Sequence, residues 1–463
     1  MSGIDSRIAR ELVAIVGPDR FLSDPADCLP YGYDNSRRQS QPDAVVFPLT
    51  HEEVRDIVQL CNRERIFIVP RGRGTGTTGA TVPVRGGVVL SLERMDRILR
   101  FDPDDRLIVV EPGVTNQAVQ DTAAKAGFFW PPDPTSAAYC TIGGNLAYNS
   151  AGPRAVKYGT PRENVLGLRA VTGAGQEIRT GVRTTKGVVG YDLTRLLIGS
   201  EGTLAVITEA TLRLTPAPEQ KLAMHAVYDS VHTAARAVSR IMAQPATPCA
   251  LEFIDGRAIE MIRDYSDAAL PAAAGALLMI EVDGSKESVA AAAEAVRTAA
   301  SLPGLLSFEA GTTPAESAAL WATRKALSPA LRKIAPKKIN EDVVVPVSRI
   351  PALISGLEDL AREFGITIVN FGHAGNGNIH VNLLVDPDDA AQMQRAAQCL
   401  SRVFDLVLAL EGTLSGEHGV GLEKRDFIAR EIDAVTLDLM RRLKEQFDPN
   451  GILNPDKMFP LST

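Results

Sequence analysis

The sequence has few cysteines and no motif that would bring them together. Five cysteines are scattered over 463 residues, and no two of them form a C-x-x-C pair. Clustered cysteines bind iron–sulfur centres or structural zinc, and dense cysteines form the disulfide frameworks of small secreted domains. The spacing therefore argues against an iron–sulfur cluster on this chain and indicates no disulfide framework.

Two further absences exclude whole classes of function. No apolar run reaches the ~18 residues that a membrane-spanning helix requires, and the N-terminal stretch MSGIDSRIARELVAIVG mixes charges into its apolar positions. The net charge is −7 without any basic cluster, which argues against a nucleic-acid partner. We expect a cytoplasmic protein with no transmembrane segment, and peripheral attachment to the inner face of the membrane stays open.

The length and the texture of the chain predict more than one domain. A chain of 463 residues is too long for a single core, so two or three domains are expected. Residues 1–216 alternate strands and helices with glycine-rich loops. Residues 217–420 alternate strands with alanine-rich helices, which predicts a second domain with a mixed or antiparallel sheet. Residues 421–463 form a C-terminal helical segment.

Two loops in the first domain have the composition of ligand-binding loops. RGRGTGTTGA at 71–80 directly follows the predicted strand RIFIVP, and glycine lets a backbone approach an anion closely. It has neither the G-K-[ST] of a P-loop nor a following helix, so a plain surface loop is an equal alternative. The stretch 131–167 lacks periodicity and predicts a second long loop, a type that is usually functional.

Three of the six histidines of the chain lie in two short motifs. NFGHAGNGNIHVN at 370–382 predicts a hairpin that brings His373 and His380 together across neighbouring strands. SGEHGVG at 415–421 places Glu417 beside His418. Two imidazoles and a carboxylate suit a divalent metal, which leaves His418 to act as a base. The alternative is a hydrogen-bonded hairpin pair and a polar loop.

Several motifs in one order resemble a known flavoenzyme family. PRGRGTGTTGA, TIGGNLAYNSAG, GTPRENVLG and GSEGTLAVIT resemble the FAD domain of the vanillyl-alcohol oxidase and p-cresol methylhydroxylase (PCMH) type. GHAGNGNIHVN and SGEHGVGLEKR resemble its FAD-linked D-2-hydroxyacid dehydrogenase branch. That branch contains D-lactate dehydrogenase, the glycolate oxidase flavin subunit and D-2-hydroxyglutarate dehydrogenase. The resemblance runs from about Pro42 to Phe459.

This resemblance implies an α+β fold with a two-subdomain PCMH-type FAD-binding domain. The second domain would be an α/β cap with a largely antiparallel sheet, and the C-terminal helices would pack back on the FAD domain. Some relatives attach FAD through a histidine in the first loop, and residues 70–81 contain none, so non-covalent FAD is expected. The resemblance assigns the following cofactor-binding residues: Arg71, Gly72, Gly74, Thr75, Gly76, Ser136, Gly143, Gly144, Asn145, Asn149, Gly152, Glu201, Gly202 and Ile207.

For the chemistry, the resemblance implies oxidation of a D-2-hydroxyacid by hydride transfer to the flavin. His418 would be the base, and His373, His380 and Glu417 would bind a metal, zinc first, with manganese or iron(II) as alternatives. Arg324 would hold the substrate carboxylate. Ser328 and Asn382 would complete the substrate contacts.

The electron acceptor and the assembly stay open. With no cysteine cluster on the chain, electrons would leave to a quinone, an electron-transfer flavoprotein or an iron–sulfur partner subunit. One alternative is therefore the flavin subunit of a heteromeric complex. Another is a non-oxidative flavin enzyme of the ether-lipid synthase type, and a homodimer is compatible with the resemblance.

Overall fold

The computed structural model describes residues 4–262, 270–311, 316, 321 and 336–461. The chain divides into two compact units. The first is formed by Met1–Gly152, Gly159–Ala217 and Glu417–Thr463, and the second by Pro153–Tyr158 and Pro218–Gly416. The C-terminal stretch thus belongs to the first unit, although it follows the second unit in the sequence.

The elements up to Pro216 are short. The helices are α1 Ser6–Val16, α2 Pro25–Cys28, α3 His51–Glu64, α4 Asn116–Ala124, α5 Ile142–Tyr148, α6 Ala155–Tyr158, α7 Pro161–Asn164 and α8 Leu193–Leu197. The strands are β1 Phe21–Leu22, β2 Ala44–Val46, β3 Ile68–Arg71, β4 Val88–Ser91, β5 Ile98–Asp102, β6 Leu107–Val110, β7 Phe128–Phe129, β8 Val165–Thr172, β9 Glu177–Gly181, β10 Ala205–Arg213 and β11 Thr215–Pro216.

The first sheet of the first unit has the strand order β1-β2-β4-β3. Strands β2, β4 and β3 are parallel, and α3 connects β2 to β3. Thr50 caps α3 by accepting a hydrogen bond from the N–H of Glu53, and the apolar face of the helix is buried. The glycine-rich loop begins directly after Arg71, the last residue of β3, so the position where the loop starts is fixed by this sheet.

The second sheet is antiparallel, with the order β5-β6-β10-β8-β9. Strands β8 and β9 form a hairpin. The interior of this half contains side chains that alternate along β6 and β10, together with the fully buried Trp130. The turn between α8 and β10, Gly199–Leu204, is held against this core and carries Glu201.

The prediction of a structureless stretch at 131–167 is wrong for part of its length. Helices α5, α6 and α7 lie within it. Thr141 caps α5 by accepting from the N–H of Gly144, and Thr160 forms a capping box with Glu163 ahead of α7. Helices of four to seven residues are too short to show a periodicity, so only their caps could have predicted them.

The second unit is built on one large sheet. Its strands are β12 Gln220–Tyr228, β13 Ala250–Asp255, β14 Ala276–Gly284, β15 Leu305–Ala310, β16 Lys337–Val344, β17 Thr367–His373 and β18 Asn378–Val385. The later helices are α9 Val231–Ala243, α10 Gly256–Ile262, α11 Lys286–Ala300, α12 Ile350–Phe364, α13 Ala390–Ala409, α14 Ile428–Glu431 and α15 Ala434–Phe447, of which the last two belong to the first unit. Among the helices described here, none is both long and apolar enough to cross a membrane.

The strand order of this sheet is β15-β12-β14-β13-β17-β18-β16, and every pairing among the described strands is antiparallel. The largely antiparallel sheet predicted for the second domain is confirmed. Helix α12 buries Leu353, Ile354 and Leu357 at helical spacing and packs against α13. The β17–β18 hairpin lies near one edge of the sheet, with only β16 beyond it.

The C-terminal tail adds backbone pairing to the first sheet. The N–H of Ile68 donates to the carbonyl of Ile452, at 2.8 Å, and the N–H of Asn454 donates to the carbonyl of Ile68, at 2.7 Å. Ile452 and Leu453 are buried in the same core as β4. The tail therefore supports β3, the strand that delivers the glycine-rich loop.

Candidate active site

The first unit contains a cavity where elements that are distant in the sequence meet. Its lining comes mainly from the end of β3, from α5, from the Gly199–Leu204 turn and from β10. Seven of the residues predicted to bind the cofactor line it: Arg71, Gly72, Gly143, Gly144, Glu201, Gly202 and Ile207.

The glycines in this lining are required by close packing. A Cβ at position 72 would lie 2.4 Å from the Oγ1 of Thr141, and one at position 143 would lie 2.7 Å from the Cβ of Pro112. The two backbones therefore reach the cavity wall with no side chain between. A wall without side chains lets a ligand approach the backbone closely, as a bulky cofactor such as FAD requires, so the residues present fit FAD.

Arg71 lines the cavity, and its side chain also holds the loop. The guanidinium is buried and donates to the carbonyl of Tyr33, at 2.8 Å, and to the Oγ1 of Thr81, at 3.2 Å. Burial lowers the pKa of Arg71, and the carboxylate of Asp34 opposes that shift. The side chain thus fixes the path of the residues that follow β3.

The other predicted cofactor residues lie around the cavity rather than in its lining. Asn145 accepts from the Nδ2 of Asn116, at 3.2 Å, and Asn149 accepts from the N–H of Arg162, at 3.2 Å. The remaining ones are held by main-chain contacts or packing: Gly74, Thr75, Gly76, Ser136 and Gly152.

Tyr148 is a cavity residue that the sequence analysis missed. A Cβ added at Gly76 would lie 2.5 Å from the hydroxyl of Tyr148, and a Cβ added at Gly419 would lie 2.6 Å from its ring. Burial raises the pKa of Tyr148 well above its usual range, so the hydroxyl stays protonated. A cap at Thr141 followed by a short helix was the available signal, because it places Tyr148 at the end of α5.

The loop that carries Glu417 and His418 belongs to the first unit. The Oε2 of Glu417 accepts from the N–H of Gly152, at 2.8 Å, and from the N–H of Ala151, at 3.3 Å. The main-chain carbonyl of His418 accepts from the Oγ1 of Thr78, at 3.1 Å. These contacts join the SGEHG motif to the two ligand-binding loops of the same unit.

In the second unit the hairpin brings the two predicted histidines together. Phe371 pairs with His380 and His373 pairs with Asn378, so both imidazoles lie near the turn. The ring centroids of His373 and His380 are 5.2 Å apart, with the planes nearly perpendicular. Both side chains are buried. Gly377 at φ +74° allows the tight return of the chain.

Glu252, on β13, completes this cluster and was missed by the sequence analysis. Its Oε1 lies 2.5 Å from the Nδ1 of His373, and only 1% of its surface is exposed. A carboxylate at one ring nitrogen directs the proton to that nitrogen and orients the other for a metal. The donor chemistry of the pair therefore fits a divalent metal.

Three predicted substrate residues have different outcomes. Asn382 is fully buried two residues beyond His380, and its Nδ2 donates to the carbonyls of Val369, at 3.2 Å, and His380, at 3.0 Å. Its Oδ1 has no hydrogen-bond partner among the described residues. Arg324 and Ser328 lie outside the described residues.

Comparison with known proteins agrees with this geometry. The C-terminal domain of FAD linked oxidases matches residues 217–458, and an FAD binding domain matches residues 42–181. The glycolate oxidase subunit GlcD of Bacillus subtilis (strain 168) is 39% identical, covering 98% of this chain and 97% of that protein. A D-2-hydroxyglutarate dehydrogenase of Xanthomonas citri pv. viticola is 35% identical, covering 95% and 94%.

The fold agrees with a solved structure as well. The crystal structure of p-cresol methylhydroxylase with substrate bound superposes with a TM-score of 0.81, at 19% identity, covering 97% of this chain and 95% of that one. At that identity the likeness shows the fold, and it confirms the predicted PCMH-type architecture. The sequence relatives and the matched domains show more, and on that basis the chain belongs to the FAD-linked oxidases and is an oxidoreductase with an FAD-binding domain.

Proposed function

We propose that this chain oxidises a D-2-hydroxyacid to the 2-oxoacid with the help of a divalent metal. The observation that carries the proposal is the buried pair His373 and His380, one ring of which is held by Glu252. Relatives named glycolate oxidase subunit and D-2-hydroxyglutarate dehydrogenase support the substrate class. Glycolate, D-lactate and D-2-hydroxyglutarate all carry an alcohol carbon next to a carboxylate.

His373, His380 and Glu417 are the proposed metal ligands, with zinc as the first choice and manganese or iron(II) as alternatives. When bound, the metal supplies a Lewis acid for the substrate hydroxyl and carboxylate. The contact with Glu252 supports this assignment, because it places the proton of His373 on Nδ1 and leaves the lone pair on Nε2. Glu417 is assigned from its motif.

His418 is the proposed base, which accepts the hydroxyl proton as hydride leaves the α-carbon. Arg324 would hold the substrate carboxylate in a bidentate pair, with Ser328 nearby. Asn382 is the third proposed substrate contact. Its buried Oδ1, without a partner in the described part of the chain, supports that role, because an orphaned acceptor of this kind is stabilised by a donor such as a hydroxyl.

The first unit would hold FAD without a covalent bond, since residues 70–81 contain no histidine. The proposed contacts are the backbone N–H groups between Arg71 and Gly76 and the other residues predicted in the loops and the Gly199–Leu204 turn. When bound, FAD supplies a two-electron acceptor. Tyr148, whose hydroxyl stays protonated, adds a hydrogen-bond donor to the same wall.

We propose that the electrons then pass to an acceptor other than oxygen. A quinone, an electron-transfer flavoprotein and an iron–sulfur partner subunit are the candidates, because the chain has no cysteine cluster of its own. The relative from Bacillus subtilis is named as a subunit, which supports a heteromeric complex. A cytoplasmic location and a homodimer remain proposals.

The test is anaerobic bleaching of the flavin absorbance by a panel of D- and L-2-hydroxyacids, before and after chelator treatment. We expect bleaching by a D-acid that is lost with the chelator and restored by zinc, manganese or iron(II). His380→Ala should abolish it, whereas the exposed His232 of the same unit provides a control variant, His232→Ala. FAD-loaded protein that no 2-hydroxyacid bleaches would contradict the proposal and favour the ether-lipid type of chemistry.

The heteromeric alternative needs a separate assay. Purified chain with substrate should reduce an artificial dye if it is catalytically complete for the first half-reaction. Bleaching without dye reduction would indicate that electron transfer out of the flavin requires a partner subunit.

A further inference from the structure

Glu201 has an unusual conformation for a non-glycine residue. Its φ is +53°, in the left-handed region, between Gly199 at +84° and Gly202 at +69°. Its main chain is held on both sides: the N–H donates to the carbonyl of Ala147, at 2.9 Å, and the carbonyl accepts from the Nδ2 of Asn454, at 2.7 Å. A strained conformation that is fixed in this way persists only where the surroundings determine it.

The carboxylate of Glu201 accepts two consecutive backbone N–H groups. Oε1 accepts from Val420, at 2.6 Å, and Oε2 accepts from Gly421, at 2.8 Å. The residue is buried, and burial raises the pKa of the carboxyl to about 7, while the two N–H groups and Lys424 act in the opposite direction. Both carboxylate oxygens therefore bind the main chain of the loop that carries His418.

A second contact holds the same loop from the glycine-rich side. The Oγ1 of Thr78 donates to the carbonyl of His418, at 3.1 Å, and the N–H of Leu422 donates to the carbonyl of Thr78, at 2.8 Å. The loop has little rigidity of its own, since Gly419 and Gly421 have φ values of +80° and +51°. Thr78 and Glu201 therefore hold the loop from two sides, in addition to the contacts of Glu417 with residues 151 and 152.

We propose that Glu201 is a positioning residue that orients His418 by fixing the main chain of residues 418–421, and that its carboxylate does not bind FAD. This inference rests on the proposed role of His418 as the base. It replaces, for the side chain, the cofactor contact that the family resemblance implied for Glu201. The backbone of the same turn remains available to the cavity.

The test uses Glu201→Gln in the FAD-loaded protein. Glutamine keeps the shape but turns an NH₂ group toward one of two N–H donors, so the loop must shift. Glu209→Gln, on β10 and only partly buried, is the matched control. The direct readout is the rate at which diethyl pyrocarbonate modifies His418, followed by peptide mass spectrometry, which needs no turnover.

We expect Glu201→Gln to change the His418 modification rate severalfold and to lower kcat by about 10- to 100-fold, as a displacement of about 1 Å can. KM, the FAD dissociation constant and the flavin spectrum should stay within about twofold, as should all values for Glu209→Gln. Glu201→Asp keeps the charge and should recover part of kcat.

Two outcomes would overturn the proposal. One is weaker FAD binding with an unchanged His418 modification rate, which would make Glu201 a cofactor ligand. The other is unchanged modification and kcat in folded Glu201→Gln protein. If that variant does not fold, Thr78→Val displaces the same loop from the other side and must alter His418 modification. If no hydroxyacid reduces the wild-type flavin, the proposed function fails, while the labelling result still decides the role of Glu201 in placing the loop.

Discussion

Replacing Glu252 by glutamine tests the proposed metal centre without touching a ligand. The Oε1 of Glu252 lies 2.5 Å from the Nδ1 of His373, and both side chains are buried. Glutamine keeps the shape but removes the charge that fixes the tautomer of His373. Loss of such a partner weakens metal binding by about 10- to 100-fold, which corresponds to about 1.4–2.8 kcal/mol.

The assay is the rise in melting temperature that the metal produces. At a free metal concentration of about 100 times Kd, binding stabilises the wild-type protein by about 2.7 kcal/mol. A site weakened 100-fold retains only about 0.4 kcal/mol at the same concentration. A site weakened tenfold would retain about 1.4 kcal/mol, so between about half and most of the metal-dependent shift should disappear in Glu252→Gln.

Glu281→Gln provides the matched control for this prediction. Glu281 is a partly buried carboxylate on β14 of the same unit, with the Nζ of Lys221 at 3.6 Å. It should keep the full metal-dependent shift. If equilibrium dialysis shows that Glu252→Gln binds zinc, manganese and iron(II) as tightly as the wild type does, the reasoning is refuted. So would an equal loss in both variants, because that would indicate general destabilisation.

Three further predictions concern the first unit. The pKa of Glu201 is raised from 4.5 to about 7, so between these values the folded state binds a proton that the unfolded state has lost, and the free energy of unfolding should fall by about 3 kcal/mol as pH rises from about 4.5 through 7. Urea unfolding across pH 5–8 should show a smaller dependence of the unfolding free energy on pH for Glu201→Gln than for the wild type. The same dependence in both proteins would exclude this titration. Gly72→Ala places a Cβ 2.4 Å from the Oγ1 of Thr141 and should weaken FAD binding about tenfold or more, measured by flavin fluorescence. Unchanged FAD binding would show that the cavity wall can move to accept the Cβ. Lys444→Met leaves the buried Asp448 without its cation and should cost about 3–5 kcal/mol in unfolding free energy; a loss below 1 kcal/mol would contradict this.

The sequence predicted the histidine cluster where the interaction is local. His373 and His380 are joined by a turn whose glycines require a tight return, so the hairpin follows from the motif. Glu252 could not be found in this way, because it is 121 residues from His373 and its strand reads as an ordinary buried one. Only the antiparallel pairing of β13 with β17 places it beside the ring.

The cofactor loops show the same division between local and distant information. Gly72 signalled close backbone approach and the family resemblance assigned Gly143, and the structure places both in the cavity lining. Tyr148 had only the cap at Thr141 as a signal, and its neighbours at positions 76 and 419 are far apart in the sequence. The short helices at 142–148 and 161–164 were missed, since their caps at Thr141 and Thr160 stand in a stretch without periodicity.

The turn that contains Glu201 connects the lining of the cavity to the loop around His418, which lies far along the chain. Ser200 and Gly202 line the cavity, while the carboxylate between them accepts from Val420 and Gly421. Ordering a residue costs about 1–2 kcal/mol, and a hydrogen bond to a charged group contributes about 1.5–3 kcal/mol. Two such bonds contribute about 3–6 kcal/mol, which offsets the ordering of about two to six residues. Because the same turn lines the cavity and holds the loop, we expect a shift of the turn to displace both.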